Sequence, residues 1–138
     1  MKKETFLLAK GLIRFDNKYL ILKKAKSNYP HSSEKWECPG GRIEENETPK
    51  DALLREINEE IKLKCEIIRE LPLLENETDT YKSKCYVYLL ESFSKNVILS
   101  DEHTEFKWVN ANDVKKFDLA LGASSLLKYF DNPNKYLN

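Results

Sequence analysis

Phe6 to Phe15 (FLLAKGLIRF) is dense in apolar residues, with polar positions only at Lys10 and Arg14, and this predicts a strand. Asp16-Asn17-Lys18 is a turn signal, and Tyr19 to Leu22 resumes as a second strand, so the two predict a hairpin. Lys26 to Glu34 is polar, contains Pro30 and reads as a loop. Lys35 to Cys38 predicts a short strand that stops at Pro39, and Gly40-Gly41 then predicts a turn with unusual backbone angles.

From Pro49 to about Lys62 the spacing changes to that of a helix. Leu53, Ile57 and Ile61 recur every four residues, with Leu54 beside them, and this stripe should face a core. Thr48 suits the N-cap, Pro49 the first helical position, and Asp51 the acidic place of a capping box.

Beyond the helix, Cys65 to Leu74 reads as a strand interrupted near Pro72, and Glu75 to Thr80 as a polar turn. Tyr81 to Phe93 contains a long strand and Phe106 to Val109 a short one. Asn112 to Phe117 and Gly122 to Phe130 predict two helices. Strands on both sides of a central helix, closed by a helix, indicate an α/β or α+β sandwich. No repeat, low-complexity segment or linker divides the chain, so residues 1–138 are expected to form a single domain.

Composition narrows the function. Lys plus Arg and Asp plus Glu number 23 each, a balance that argues against binding a nucleic-acid polymer but leaves room for one nucleotide. Cys38, Cys65 and Cys85 are odd in number and widely spaced, so neither a disulfide framework nor a zinc site is expected, only buried free thiols. No apolar run reaches the length of a membrane span, and the expectation is a soluble cytoplasmic protein with no membrane partner.

The chemistry is concentrated on the central helix. At about 100° per residue, Glu56, Glu59 and Glu60 fall on one arc beside the apolar stripe. Like charges three or four apart destabilise a helix by a few tenths of a kcal/mol per pair, roughly, unless something positive sits against them. Crowded hard oxygens suit Mg²⁺ or Mn²⁺, which share their coordination with substrate phosphates. The chemistry this predicts is attack of a metal-activated water on phosphorus. The preceding glycines would let the Gly40 carbonyl join the metal ligands.

The run Gly41, Glu47, then Arg55-Glu56-Ile57-Asn58-Glu59-Glu60-Ile61-Lys62-Leu63 resembles the Nudix box, in which Gly and Glu are followed by Arg-Glu-apolar-x-Glu-Glu-x-Gly-apolar. Every defined position agrees except Lys62, where the family has glycine. Chance agreement is on the order of 10⁻⁷ per starting point. Trp36-Glu37-Cys38-Pro39-Gly40-Gly41 further resembles the MutT-like branch. Glycine at position 62 would fit a left-handed helix end, and Lys there costs roughly 1 kcal/mol, so the departure concerns how the helix stops rather than the acids.

The resemblance implies a Nudix α/β/α sandwich with a mixed sheet and the catalytic helix after the Gly-Gly loop. It implies that Glu56, Glu59 and Glu60 bind metal with Gly40, that Glu56 orients or deprotonates the water, and that Arg55 positions the acids, with Glu47 as its partner. An additional acid from a later strand is expected at Glu105, with Glu102 as the alternative. Trp36, Arg42 and Tyr81 are the candidates for contacts to the nucleotide. The implied reaction is Mg²⁺- or Mn²⁺-dependent pyrophosphohydrolysis of a nucleoside triphosphate, oxidised or not. ADP-ribose, another nucleotide sugar or a dinucleoside polyphosphate are the alternative substrates, and a nucleotide sensor without turnover is the non-enzymatic alternative. A homodimer is compatible with the resemblance. His31 and His103 lack ligand spacing to another His or Cys, and Lys23, Lys24 and Lys26 read as a solvated strand end.

Overall fold

The computed structural model describes residues 3–138. In chain order the elements are β1 (Glu4–Phe15), β2 (Lys18–Lys24), β3 (Trp36–Glu37), β4 (Gly40–Arg42), α1 (Pro49–Ile61), β5 (Cys65–Glu70), β6 (Leu74–Glu77), β7 (Tyr81–Ser92) and β8 (His103–Val109). Two 3₁₀ turns (Ala111–Lys116 and Ala123–Leu126) and the short helices α2 (Leu127–Phe130) and α3 (Pro133–Tyr136) follow.

β1 and β2 form the predicted hairpin, with Asp16 and Asn17 both at positive φ (51° and 62°), the combination that lets a two-residue turn match strand twist. β1 also pairs in parallel with β7 from Glu4 to Arg14, while the other strand pairings are antiparallel, so the sheet is mixed as expected. Its path is β3-β2-β1-β7-β5, with β4 beside β1, β6 beside β7 and β8 beside β2. The free edge of β1 changes partner along its length. It bonds β4 at Leu8 to Lys10 and β2 at Arg14 and Phe15, and between them the Gly11 N–H donates to the Pro39 carbonyl. The sheet therefore opens at this point, beside the end of the helix-bearing loop.

Each face of the sheet is covered. On one, Ala52, Leu53, Ile57 and Ile61 of α1 pack on Ala9, Ile13, Leu20, Leu22 and Leu90. On the other, Leu126, Tyr129, Phe130 and Leu137 pack on Leu12, Ile21, Val87 and Leu89. This is the expected α/β/α layering. Burying each such large apolar side chain contributes about 1.5–3 kcal/mol, and both faces are needed because β1, β2 and β7 alternate between two cores.

Several boundaries differ from the pattern-based reading. β1 begins two residues earlier, at Glu4, and Gly40–Arg42 is a strand as well as a bend. Glu75 to Glu77 belong to β6, where pairing with β7 overrides their polar composition. β8 starts at His103, and Ala111–Lys116 is 3₁₀ rather than α-helical. Leu54 points to solvent at 42% exposure, being off the stripe centred on Leu53, Ile57 and Ile61. All three cysteines are free, and burial pushes the thiols of Cys38 and Cys85 up to about 12 and about 11, which makes them poor nucleophiles. No helix among the described residues is long and apolar enough to cross a membrane.

Candidate active site

Thr48 caps α1 as predicted, its side chain accepting the Asp51 N–H at 3.1 Å. At the other end Lys62 adopts φ 50°, ψ 37° and donates its N–H to the Ile57 carbonyl, the left-handed stop for which glycine is suited. The last turn carries Glu59 and Glu60 and no basic residue, an arrangement the helix dipole disfavours. Arg55 compensates for part of this crowding. Its guanidinium holds Glu47 through two bonds (2.7 and 3.0 Å), Glu56 at 3.0 Å, Glu59 at 3.4 Å and the Arg42 carbonyl at 3.1 Å. One planar fork thus ties the loop before α1 to two acids on it.

The two glycines have separate reasons. A Cβ on Gly40 (φ +133°) would lie 2.1 Å from the Ala9 carbonyl oxygen, so only glycine fits against β1. A Cβ on Gly41 would lie 2.8 Å from the Glu56 carboxylate, so the missing side chain is the space this carboxylate occupies.

On the helical wheel Glu60 stands about 20° from Leu53, Glu56 about 60° and Glu59 about 120°. Burial follows that order: Glu60 is 3% exposed at its side chain, Glu56 16% and Glu59 58%. Buried Glu60 accepts the Gly40 N–H at 2.9 Å. Around it converge residues distant in sequence. Lys10 Nζ donates to Glu37 Oε1 (3.1 Å) and to the carbonyls of Cys38 (3.2 Å) and Gly40 (3.4 Å). Lys24 reaches Glu37 at 3.4 Å. His103 Nε2 lies 2.8 Å from Glu37 and 3.8 Å from Glu60, while its buried Nδ1 has no partner.

These neighbours set the charges. Burial lifts the Glu60 carboxyl to about 7 against the opposing pull of Lys10 and the Gly40 N–H. Burial acts on Glu37 too, but Lys10 and the His103 hydrogen bond prevail and hold it well below the usual carboxylate range. Burial also works against the Lys10 ammonium, yet Glu37 and Glu60 outweigh it and raise its pKa. Glu56 is raised by burial, with Arg55 opposing.

These groups open onto a cleft of about 490 Å³ lined by Lys10, Lys24, Glu37, Gly40, Glu56, Glu60 and Glu102 among others. A second groove shares Arg42, Asn76, Ser83 and Leu121 with it and adds Phe6 and Tyr81. There the Arg42 guanidinium sits 4.2 Å over the Phe6 ring, which meets Tyr81 edge-on at 5.6 Å. Arg42 and Tyr81 thus line one continuous surface with Glu56.

Three sequence-derived candidates are placed elsewhere. Trp36 is buried against Phe117 in the core behind the sheet. Glu105 is exposed and pairs with Lys23 at 3.4 Å, away from the cleft, which Glu102 lines instead. The reason is a β-bulge: Lys23 pairs Glu105 and Lys24 pairs His103, so Thr104 is an extra residue and the faces of His103 and Glu105 diverge. Glu59 is 58% exposed at its side chain, bonds Arg55 at 3.4 Å and is not among the residues lining the cleft. Lys10, Glu37 and His103 join the site although helical spacing does not point to them. The signals were a lysine inside an apolar strand and a glutamate just before Pro-Gly-Gly.

The donor set suits a divalent cation. Gly40, Glu56 and Glu60 line the cleft together and offer hard oxygens, and Glu60 also belongs to a second group, with Glu37 and His103, whose ligand atoms lie within 4.8 Å of one another.

The family model of the NUDIX domain matches residues 5–130. The chain is 32% identical over 128 residues to the 8-oxo-dGTP diphosphatase of Buchnera aphidicola subsp. Schizaphis graminum, covering 92% of this chain and 85% of that protein. It is 28% identical to the nucleoside triphosphatase NudI of Escherichia fergusonii, covering 84% and 89% respectively. Among solved structures, the MutT protein from Methanosarcina mazei Go1 superposes with a TM-score of 0.82 over 98% of this chain and 99% of that one, at 24% identity, a likeness of fold.

Proposed function

Because the chain belongs to the Nudix family, a family of hydrolases of phosphoric anhydrides, we propose that it is a Mg²⁺- or Mn²⁺-dependent pyrophosphohydrolase that cleaves a nucleoside triphosphate, oxidised or not, to the monophosphate and pyrophosphate. We read residues 1–138 as a single such domain. The observation that supports this most directly is that Gly40, Glu56 and Glu60 line one cleft, with the Gly40 N–H bonded to Glu60 and Arg55 bridging Glu56 to Glu47.

In this reading Gly40, Glu56 and Glu60 hold the ion, with Glu59 more exposed. When bound, a divalent ion supplies charge neutralisation on the diphosphate and a more acidic water. Glu56, held by Arg55 and backed by the open face of Gly41, would orient the attacking water and accept its proton. Arg55 holds the carboxylates in place. The base lies along the groove of Arg42, Tyr81, Asn76 and Ser83, where an apolar floor meets polar side chains that can bond its edge. Glu102 supplies the additional acid at the mouth of the cleft in place of Glu105.

The test is a panel of nucleoside triphosphates, 8-oxo-dGTP, ADP-ribose, a nucleotide sugar and a dinucleoside tetraphosphate, incubated with Mg²⁺ and followed by phosphate and pyrophosphate release. Pyrophosphate from a triphosphate, abolished in Glu56→Gln, is the expected result. Nucleotide binding without cleavage of any member would replace the enzyme with a sensor.

A further inference from the structure

Lys10 is charged and sits between buried Ala9 and buried Gly11, Leu12 and Ile13 of β1. Its side chain is 16% exposed, and its ammonium is within 3.4 Å of three oxygens: Glu37 Oε1, Cys38 O and Gly40 O. Those oxygens adjoin the cluster of Glu37, Glu60 and His103, whose ligand atoms lie within 4.8 Å of one another. A set of carboxylate and carbonyl oxygens around a compact cation is the environment a hard divalent ion also takes. We propose that Lys10 is a resident cation of this cradle, which neutralises Glu37 and Glu60 in the metal-free protein and competes with the divalent ion for the Gly40 carbonyl and Glu60.

The consequence rests on the metal role proposed above for Gly40 and Glu60. Without Lys10, two buried carboxylates and two carbonyls face one another with Lys24, at a longer 3.4 Å from Glu37 only, as the nearest remaining ammonium. The metal-free state is then destabilised and the ion-bound state loses a repulsion. At about 5 Å, even with the dielectric of water, removing one positive charge beside a dication strengthens binding about tenfold. Lysine here thus sets how much free ion the protein requires, and keeps the cradle folded when the ion is scarce.

Mn²⁺ binding, read from loss of the free-ion paramagnetic resonance signal, tests this on the full chain. Lys10→Met should bind Mn²⁺ about tenfold more tightly than wild type, and Lys10→Arg, which keeps the charge, should stay near wild type. Without metal, Lys10→Met should melt below wild type and gain more from Mn²⁺. If Lys10→Met is unfolded without metal, folding on Mn²⁺ addition, seen by circular dichroism, is the expected result. Equal or weaker Mn²⁺ binding by Lys10→Met, or failure to fold with Mn²⁺ present, would overturn the proposal while leaving the enzyme reading intact. Absence of Mn²⁺ binding by wild type itself would overturn both.

Discussion

Lys62 is the position where the chain departs from the family pattern, and its conformation makes the departure measurable. It sits at φ 50°, ψ 37°, exposed, just past the last residue of α1. A side chain in this region costs about 1–2 kcal/mol relative to glycine. Glycine is penalised by about 0.4–1 kcal/mol because its unfolded chain is freer. The Lys62 charge near the helix end is worth roughly 0.3 kcal/mol more, screened by salt. Comparing Lys62→Gly with Lys62→Ala removes the charge from both and isolates the backbone contribution, leaving about 0.5–1 kcal/mol in favour of glycine. With an unfolding entropy of about 2.1 cal/mol/K per residue over a chain this long, 1 kcal/mol corresponds to roughly 3 °C in Tm. Scanning calorimetry should therefore place Lys62→Gly about 2–3 °C above Lys62→Ala, with hydrolysis rates unchanged, since the side chain does not line the cleft. Equal melting temperatures, or Ala above Gly, would show that the helix end relaxes out of the left-handed region and that the reasoning is wrong.

Two further outcomes follow from the site. Gly41→Ala keeps an ordinary backbone conformation but drives its methyl group to 2.8 Å from the Glu56 carboxylate, so kcat should fall about 100-fold with the melting temperature nearly unchanged; a near-wild-type kcat would refute the placement of Glu56. Glu60, lifted by burial to about 7, must lose its proton to hold an ion, so Mn²⁺ affinity measured by calorimetry should rise from pH 6 to pH 8 with proton release at the lower end, and a flat profile would contradict it. The same shift has a definite sign for folding. Between the unfolded value near 4.3 and about 7 the folded metal-free protein binds more protons than the unfolded chain, so this group's contribution to stability declines as pH rises through that window.

What the sequence determined by itself is local. Thr48 and Pro49 start the helix, Asp16-Asn17 turn the hairpin, Gly40-Gly41 free the backbone before the helix, and Arg55, Glu56, Glu59 and Glu60 share an arc because helical periodicity requires it. These features lie within one or two turns of chain, where propensity and spacing act directly. The wheel could have gone further, since Glu60 lies nearly above Leu53 and its burial was implicit in the stripe. The convergence of Lys10, Glu37 and His103 on Glu60 was not legible, because it depends on how three strands and a helix meet. That Glu105 turns away from the cleft and from the face of His103 hangs on one inserted residue at Thr104, which reverses side-chain direction without any compositional mark. Trp36 enters the core rather than the cleft because β3 alternates, and its neighbour Glu37 takes the inward place. The sequence thus determined which acids share a helix; the tertiary structure decided which of them is buried, against which cation, because desolvation and charge pairing depend on atoms from distant parts of the chain.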